Sequence, residues 1–171
     1  LMKPWLAYYC NDLSFEVIFH PIDPRKRVAI FEDRTLTVET IPLYHSVPSC
    51  GFLFTEHHRQ RGLVGDFIMD SRRRYAYCSD TRYSEKIAEA VRGVDVLYHE
   101  ATYTDEFLSR CHPTMHSTAK QAATTAKNAG AKQLIIGHFS ARVDDHEQFL
   151  KEAKTVFDNT ILAKEKESYE I

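Results

Sequence analysis

Three short apolar runs, YAYCS at residues 75–79, VDVLY at 94–98 and QLIIG at 133–137, are separated by segments whose apolar residues recur at helical spacing. Strands and helices that alternate in this way share one sheet with the helices packed on it, because each helix must bury its apolar stripe against something. The helices are marked at their ends. Ser84 precedes a helix over about 85–92 and Gly93 follows it, while a helix over about 118–129 carries Ala119, Ala122, Ala123 and Ala126 on one face and stops at Gly130. A last pattern over about 146–157 groups Phe149, Leu150, Ala153, Val156 and Phe157, with Asp145 and Gln148 spaced as a variant capping box.

The first third differs. Residues 15–20 (FEVIFH) and 36–41 (LTVETI) alternate apolar and polar side chains at period two, and residues 28–31 add a short apolar run. Short connections make these strands antiparallel, so the expectation is an α/β protein with a mixed sheet and covering helices. Residues 55–74 fit neither period and read as a polar, Arg-rich connection. A chain of 171 residues suits one domain, and 43% hydrophobic with 27% charged residues is a globular composition. The formal charge of −2 gives no global nucleic-acid signature, so any contact with phosphates has to come from local patches. Cys10, Cys50, Cys78 and Cys111 are far apart and form no Cys-x-x-Cys pair, which points to free thiols in a reducing, cytoplasmic setting. No apolar run approaches the roughly 20 residues that cross a bilayer, and no membrane role is expected.

Four strand-like runs lead to residues that bind metals or move protons: His45, Asp80, the pair His99-Glu100, and His138. In open α/β sheets ligands gather outside the carboxyl ends of the strands. Singly, a histidine after a strand is commonly structural and an Asp before Thr is commonly a turn residue; the four together leave a convergent site and a set of structural residues as alternatives. As a site, imidazole nitrogens and carboxylate oxygens without cysteine suit zinc or a similar divalent ion. A bridging Asp would suit two metals about 3.5–4 Å apart. His57, His58, His112 and His146 sit among polar residues and read as solvated, His20 ends a strand-like run beside Pro21, and there is no Gly-rich phosphate loop.

The stretches YHSVPSCGF (44–52), SDTR (79–82), HEAT (99–102), HSTAKQAA (116–123) and GHFSAR (137–142) resemble the C-terminal part of the ribonuclease Z family, tRNA 3′-processing endoribonucleases of the metallo-β-lactamase αββα sandwich fold. The resemblance implies that His45 binds one zinc ion, Asp80 bridges two, and His138 binds the other. It implies that Glu100 and His116 form a pair at the scissile phosphate, with His116 protonating the leaving 3′-oxygen. Ser140 and Arg142 become candidate phosphate contacts. The implied products are a tRNA with a 3′-hydroxyl and a trailer with a 5′-phosphate; the implied partners are precursor tRNA and a second subunit in a homodimer.

Two departures shape this expectation. The family's His-x-His-x-Asp-His motif is not in the sequence, and the opening LMKPWL reads as though it starts inside an element, so residues 1–171 are expected to form a single partial domain of a longer parent. Many members also carry an arm between the stretches matching Phe52 and Tyr75, and its place here, near residues 70–71, is too short for it. Another hydrolase of the fold, a phosphodiesterase or a sulfatase, and a non-catalytic fragment are the competing readings.

Overall fold

In the computed structural model, which describes residues 2–10, 13–57 and 72–170, seven strands form one sheet whose neighbours in space are also neighbours in sequence. Strands β1 (Ala29–Glu32), β2 (Leu36–Pro42), β3 (Cys50–Glu56) and β4 (Arg74–Cys78) pair antiparallel, and β4, β5 (Val96–Glu100), β6 (Gln133–Gly137) and β7 (Thr160–Leu162) pair parallel. Each parallel step needs a crossover. Helices α2 (Glu85–Ala90), α4 (Ala119–Ala129) and α5 (Glu147–Lys154) supply the three crossovers. Because every step moves one strand in the same direction, and such crossovers share one hand, the helices come to lie together on one face of the sheet. Helix α1 (Met2–Tyr9) and helix α3 (Leu108–Thr114) stand outside this series.

The buried core lies between that face and the helices. Ala76 and Cys78 of β4, Leu97 of β5, and Leu134 and Ile136 of β6 meet Ile87, Val91, Phe149 and the alanines of α4. Ala119, Ala122, Ala123, Ala126 and Ala129 are all buried, and their small side chains bring the helix axis close to the strands. The other face of the sheet carries aromatic residues in register. Phe54 opposes Tyr75 and stacks on it at 5.6 Å, and Tyr77 opposes Tyr98 and stacks on it at 4.6 Å. This is one sheet and one helical layer of the anticipated sandwich.

In α4 the C-terminal end follows its sequence signal, and the N-terminal end is closed by a capping box. Thr118 accepts the backbone N–H of Gln121, the Gln121 side chain accepts the N–H of Thr118, and Gly130 ends the helix in the left-handed region at φ 65°. At α5 the expected capping box is half formed. Asp145 accepts the N–H of Glu147, but Gln148 makes no return bond among the described residues, and His146 takes the N-cap position.

Residues 15–20 correct the sequence expectation, since they form no strand. Their side chains alternate, yet no strand among the described residues pairs with them, and Phe15, Val17, Ile18 and Phe19 are exposed. Strand β3 was masked in the sequence by its Gly51 and by the polar stretch after it, and β7 by its length of three residues. The expected arm junction near residues 70–71 lies outside the described residues.

Gly51 shows why β3 and β4 pair so closely. A Cβ there would overlap the carbonyl oxygen of Tyr77 on the neighbouring strand. Gly51→Ala is therefore expected to destabilise the protein by about 1–3 kcal/mol, read as a lower urea midpoint at unchanged m-value.

Candidate active site

Parallel register fixes the height at which each site residue leaves the sheet. Cys78 pairs with His99 and His99 with Ile136, so Asp80, Glu100 and His138 emerge at the same edge, one or two residues further on. Two of them turn sharply. Asp80 and His138 have φ of 56° and 61°, and Met115, at the tip of the loop that carries His116, has φ of 59°. The left-handed region costs a residue with a side chain about 1–3 kcal/mol. Three such residues at one edge mark where the fold holds the chain against its local preference.

Glu100 is the anchor. It is fully buried, and five donors converge on its carboxylate. Oε1 accepts the N–H of Thr81 at 2.7 Å and Nδ1–H of His116 at 2.7 Å. Oε2 accepts the Thr102 hydroxyl at 2.7 Å, the Ser117 N–H at 3.1 Å and the Thr102 N–H at 3.3 Å. The Ser117 hydroxyl closes the network by donating to the Thr81 carbonyl at 2.8 Å. Burial pushes the Glu100 carboxyl up, but the hydrogen bonds from His116 and Thr102 outweigh it and hold the group below its ordinary value. The same bond to Glu100 holds His116 above the ordinary imidazole range, against the opposing effect of burial.

The imidazoles are arranged around this pair. The His116 ring lies 5.0 Å from that of His45 and 5.3 Å from that of His138, with the Tyr103 ring edge-on at 6.3 Å. His45 Nδ1 is 3.2 Å from the Met115 carbonyl, which can only accept, so Nδ1 carries the hydrogen and Nε2 is free. His138 Nε2 lies 3.2 Å from Asp80 Oδ1. Ligand atoms of His45, Asp80 and His116 fall within 4.8 Å of one another, and so do those of Glu100, His116 and His138. The oxygens of Glu100 are occupied by their five donors, and Nδ1 of His116 is occupied by Glu100. Besides Nε2 of His116, that leaves ligand atoms on His45, Asp80 and His138. Two imidazoles and a partly exposed carboxylate, with no thiol among them, fit a divalent ion of the zinc type.

The structure thus brings together five of the residues singled out in the sequence: His45, Asp80, Glu100, His116 and His138. Ser140 stands just beyond them, its N–H bonded to the Thr102 carbonyl at 3.0 Å. Arg142 is exposed and makes no ion pair with Asp144 or Asp145 among the described residues. His99, next to Glu100 on β5, points to the helix side, where its Nδ1 meets the Glu100 carbonyl at 2.7 Å and its Nε2 is buried without a partner among the described residues. His57 bonds Thr37, and His146 packs on Phe139, so neither joins the cluster. His58 lies outside the described residues. Sequence reasoning missed Thr81, Thr102 and Ser117, which hold Glu100. Their signal was present, since each is a hydroxyl residue within a quoted motif: SDTR, HEAT and HST.

Comparison with known proteins follows the same outline. A family model described as the β-lactamase superfamily domain matches residues 2–139. Ribonuclease Z of Bacteroides fragilis is 42% identical over 200 residues, covering 96% of this chain and 66% of that protein. Ribonuclease Z of Azobacteroides pseudotrichonymphae is 45% identical over 188 residues, covering 97% of this chain and 64% of that protein. The chain therefore spans just under two-thirds of the length of these curated relatives. Among solved structures, the metallo-β-lactamase fold protein YhfI of Bacillus subtilis superimposes with a TM-score of 0.65 at 21% identity, covering 84% of this chain and 52% of that one. The short form of human tRNase Z superimposes with a TM-score of 0.58 at 26% identity, covering 81% of this chain and 44% of that one.

The paired shifts define a pH window. The Glu100 contribution to stability is present above the ordinary carboxylate pKa and is lost as pH falls through its lowered folded value. The His116 contribution is present below the ordinary imidazole pKa and is lost as pH rises through its raised folded value. The pair thus stabilises the fold most between those limits. Glu100→Gln is expected to return the His116 titration, followed by NMR in the metal-free chain, toward the ordinary imidazole range. It should also flatten the pH dependence of the unfolding free energy on both flanks.

Proposed function

The chain belongs to the β-lactamase superfamily, and on that premise we propose that it is part of a zinc-dependent endoribonuclease that removes the 3′ trailer from tRNA precursors. The observation that carries this reading is the Glu100–His116 pair, at 2.7 Å, seated between His45 and His138 and beside Asp80, in a chain 42% identical to a ribonuclease Z. A superfamily hydrolase that cuts RNA between a tRNA 3′-oxygen and phosphorus must protonate a poor leaving group. His116 is built for that step. Its Nδ1 is held by Glu100, whose hydrogen bond favours the charged ring, and Nε2 is the nitrogen left to deliver a proton to the departing 3′-oxygen. The tRNA leaves with a 3′-hydroxyl and the trailer keeps a 5′-phosphate.

His45 and His138 would each hold one zinc ion and Asp80 would bridge the two. Divalent ions in that position supply Lewis acidity toward the phosphoryl oxygens and an acidified water. Glu100 positions the donor and stays out of the coordination, because its oxygens are spoken for. Ser140, whose N–H bonds the Thr102 carbonyl, and the exposed Arg142 would meet the substrate phosphates.

Residues 1–171 on this reading form the C-terminal part of a single metallo-β-lactamase domain. Three ligands and the proton donor are here, and a His-x-His-x-Asp-His segment outside this sequence supplies the remaining ligands and the general base. The alignment with the Bacteroides fragilis relative runs over 200 residues against a chain of 171, so the relative carries residues without a counterpart, as an excised arm near residues 70–71 requires. The complete enzyme works in the cytoplasm as a homodimer, one subunit's arm presenting tRNA to the other's site. No helix among the described residues is long and apolar enough to cross a membrane.

A precursor tRNA with a 3′ trailer is the substrate to try, first with this chain and then with a version extended to include the His-x-His-x-Asp-His segment. The extended protein is expected to release the trailer and to stop when a chelator is added, and His116→Ala should lower turnover by roughly 10²–10⁴. The 171-residue chain alone is expected to cleave little. Turnover of small phosphodiesters or sulfate esters with the precursor left intact would overturn the assignment in favour of another hydrolase of the fold. Unchanged cleavage by His116→Ala would remove His116 from the chemistry.

A further inference from the structure

We infer that Thr102 is a positioning residue that decides which nitrogen of His138 faces a cation, and that it does so by relaying the hydrogen-bond demand of Glu100 across its own hydroxyl. The Thr102 hydroxyl oxygen lies 2.7 Å from Glu100 Oε2 and 2.9 Å from His138 Nδ1. Glu100 already accepts the N–H groups of Thr81, Thr102 and Ser117 and the ring N–H of His116. A carboxylate enclosed by donors has no hydrogen to give. Two oxygens 2.7 Å apart need a hydrogen between them, and the only one to hand belongs to Thr102.

A hydroxyl has one hydrogen and two lone pairs. Since Thr102 donates to Glu100, toward His138 it can only accept. Nδ1 of His138 therefore carries a hydrogen whether the ring is neutral or charged, and Nε2, facing Asp80 Oδ1 at 3.2 Å, is the nitrogen whose lone pair is available to a metal. Without Thr102 the preference reverses. The Asp80 carboxylate beside Nε2 would draw the ring hydrogen to that nitrogen, giving the tautomer that blocks coordination there. A histidine ligand commonly hands its second N–H to a carboxylate, a carbonyl or water. In this chain a threonine hydroxyl stands between ring and carboxylate, and the carboxylate it serves is the one that also holds the proton donor His116. The Thr102 hydroxyl thereby links the coordinating and the proton-donating parts of the site through a single buried group.

The inference rests on the reading of His138 as a metal ligand, so its test is independent of RNA cleavage. Ring ¹⁵N–¹H correlation spectra of the metal-free 171-residue chain, with His138 assigned by its loss in His138→Gln, report the tautomer at a pH where the ring is neutral. The wild type and Thr102→Ser should show the hydrogen on Nδ1. Thr102→Val should move it to Nε2 and weaken Zn(II) binding, measured by competition with a chromophoric chelator, by roughly 10–100-fold. A wild-type ring with its hydrogen on Nε2 overturns the inference whatever the valine variant does, and so does a valine variant with an unchanged spectrum. An Nδ1–H ring here, together with failure of the extended protein to process precursor tRNA, would leave Thr102 in this role and count against the nuclease assignment alone.

Discussion

A charge placed where water cannot reach it is the constraint from which the rest of this site follows. Glu100 has no exposed surface, and a buried carboxylate without partners would cost several kcal/mol. The fold meets that cost with five hydrogen bonds drawn from three separate stretches of chain: the turn after β4, the turn after β5, and the loop before α4. Each stretch that serves Glu100 also carries or adjoins a residue of the cluster. Thr81 follows Asp80, Thr102 touches His138, and Ser117 follows His116. Satisfying the carboxylate and assembling the site are thus one event.

The sheet provides the frame for that event. Parallel pairing with aligned register sets the ends of β4, β5 and β6 side by side, and left-handed residues at Asp80 and His138 turn the chain at once, so that short side chains reach across the sheet end. Backbone conformations of this kind survive only when their surroundings over-determine them. Here the surroundings are identifiable. The Ser140 N–H bonds the Thr102 carbonyl just beyond His138, and the Ser49 hydroxyl donates to the Asp80 carbonyl at 3.4 Å.

Much of this could be read in the sequence, and the rest could not for physical reasons. The α4 helix was legible because its stripe of alanines and the closing Gly130 are local signals. The apolar runs of β4, β5 and β6 were legible because strands buried beneath helices must be apolar. Residues 15–20 misled because alternation describes a side-chain pattern and says nothing about whether a neighbouring strand exists to pair with. The five cluster residues could be named one by one, but they are spread from position 45 to position 138; the register of the parallel strands aligns Asp80, Glu100 and His138, and the chain after β2 and the loop before α4 bring in His45 and His116. Thr81, Thr102 and Ser117 were overlooked because a hydroxyl residue in a turn has an ordinary local explanation, and for Thr81 and Ser117 the carboxylate they serve lies 19 and 17 residues away.

The strictly sequential order of the sheet has a consequence for how the molecule comes into being. Chains are made from the amino end, and domains tend to fold as they emerge. With neighbours in sequence also neighbours in space, no strand has to wait for a distant partner, so each new element can dock on an edge already formed. Every group that bonds Glu100 has been synthesised by residue 117, whereas His138 arrives only with the end of β6. The nascent chain can close the Glu100–His116 network before His138 leaves the ribosome, so the last residue of the cluster joins a scaffold already in place.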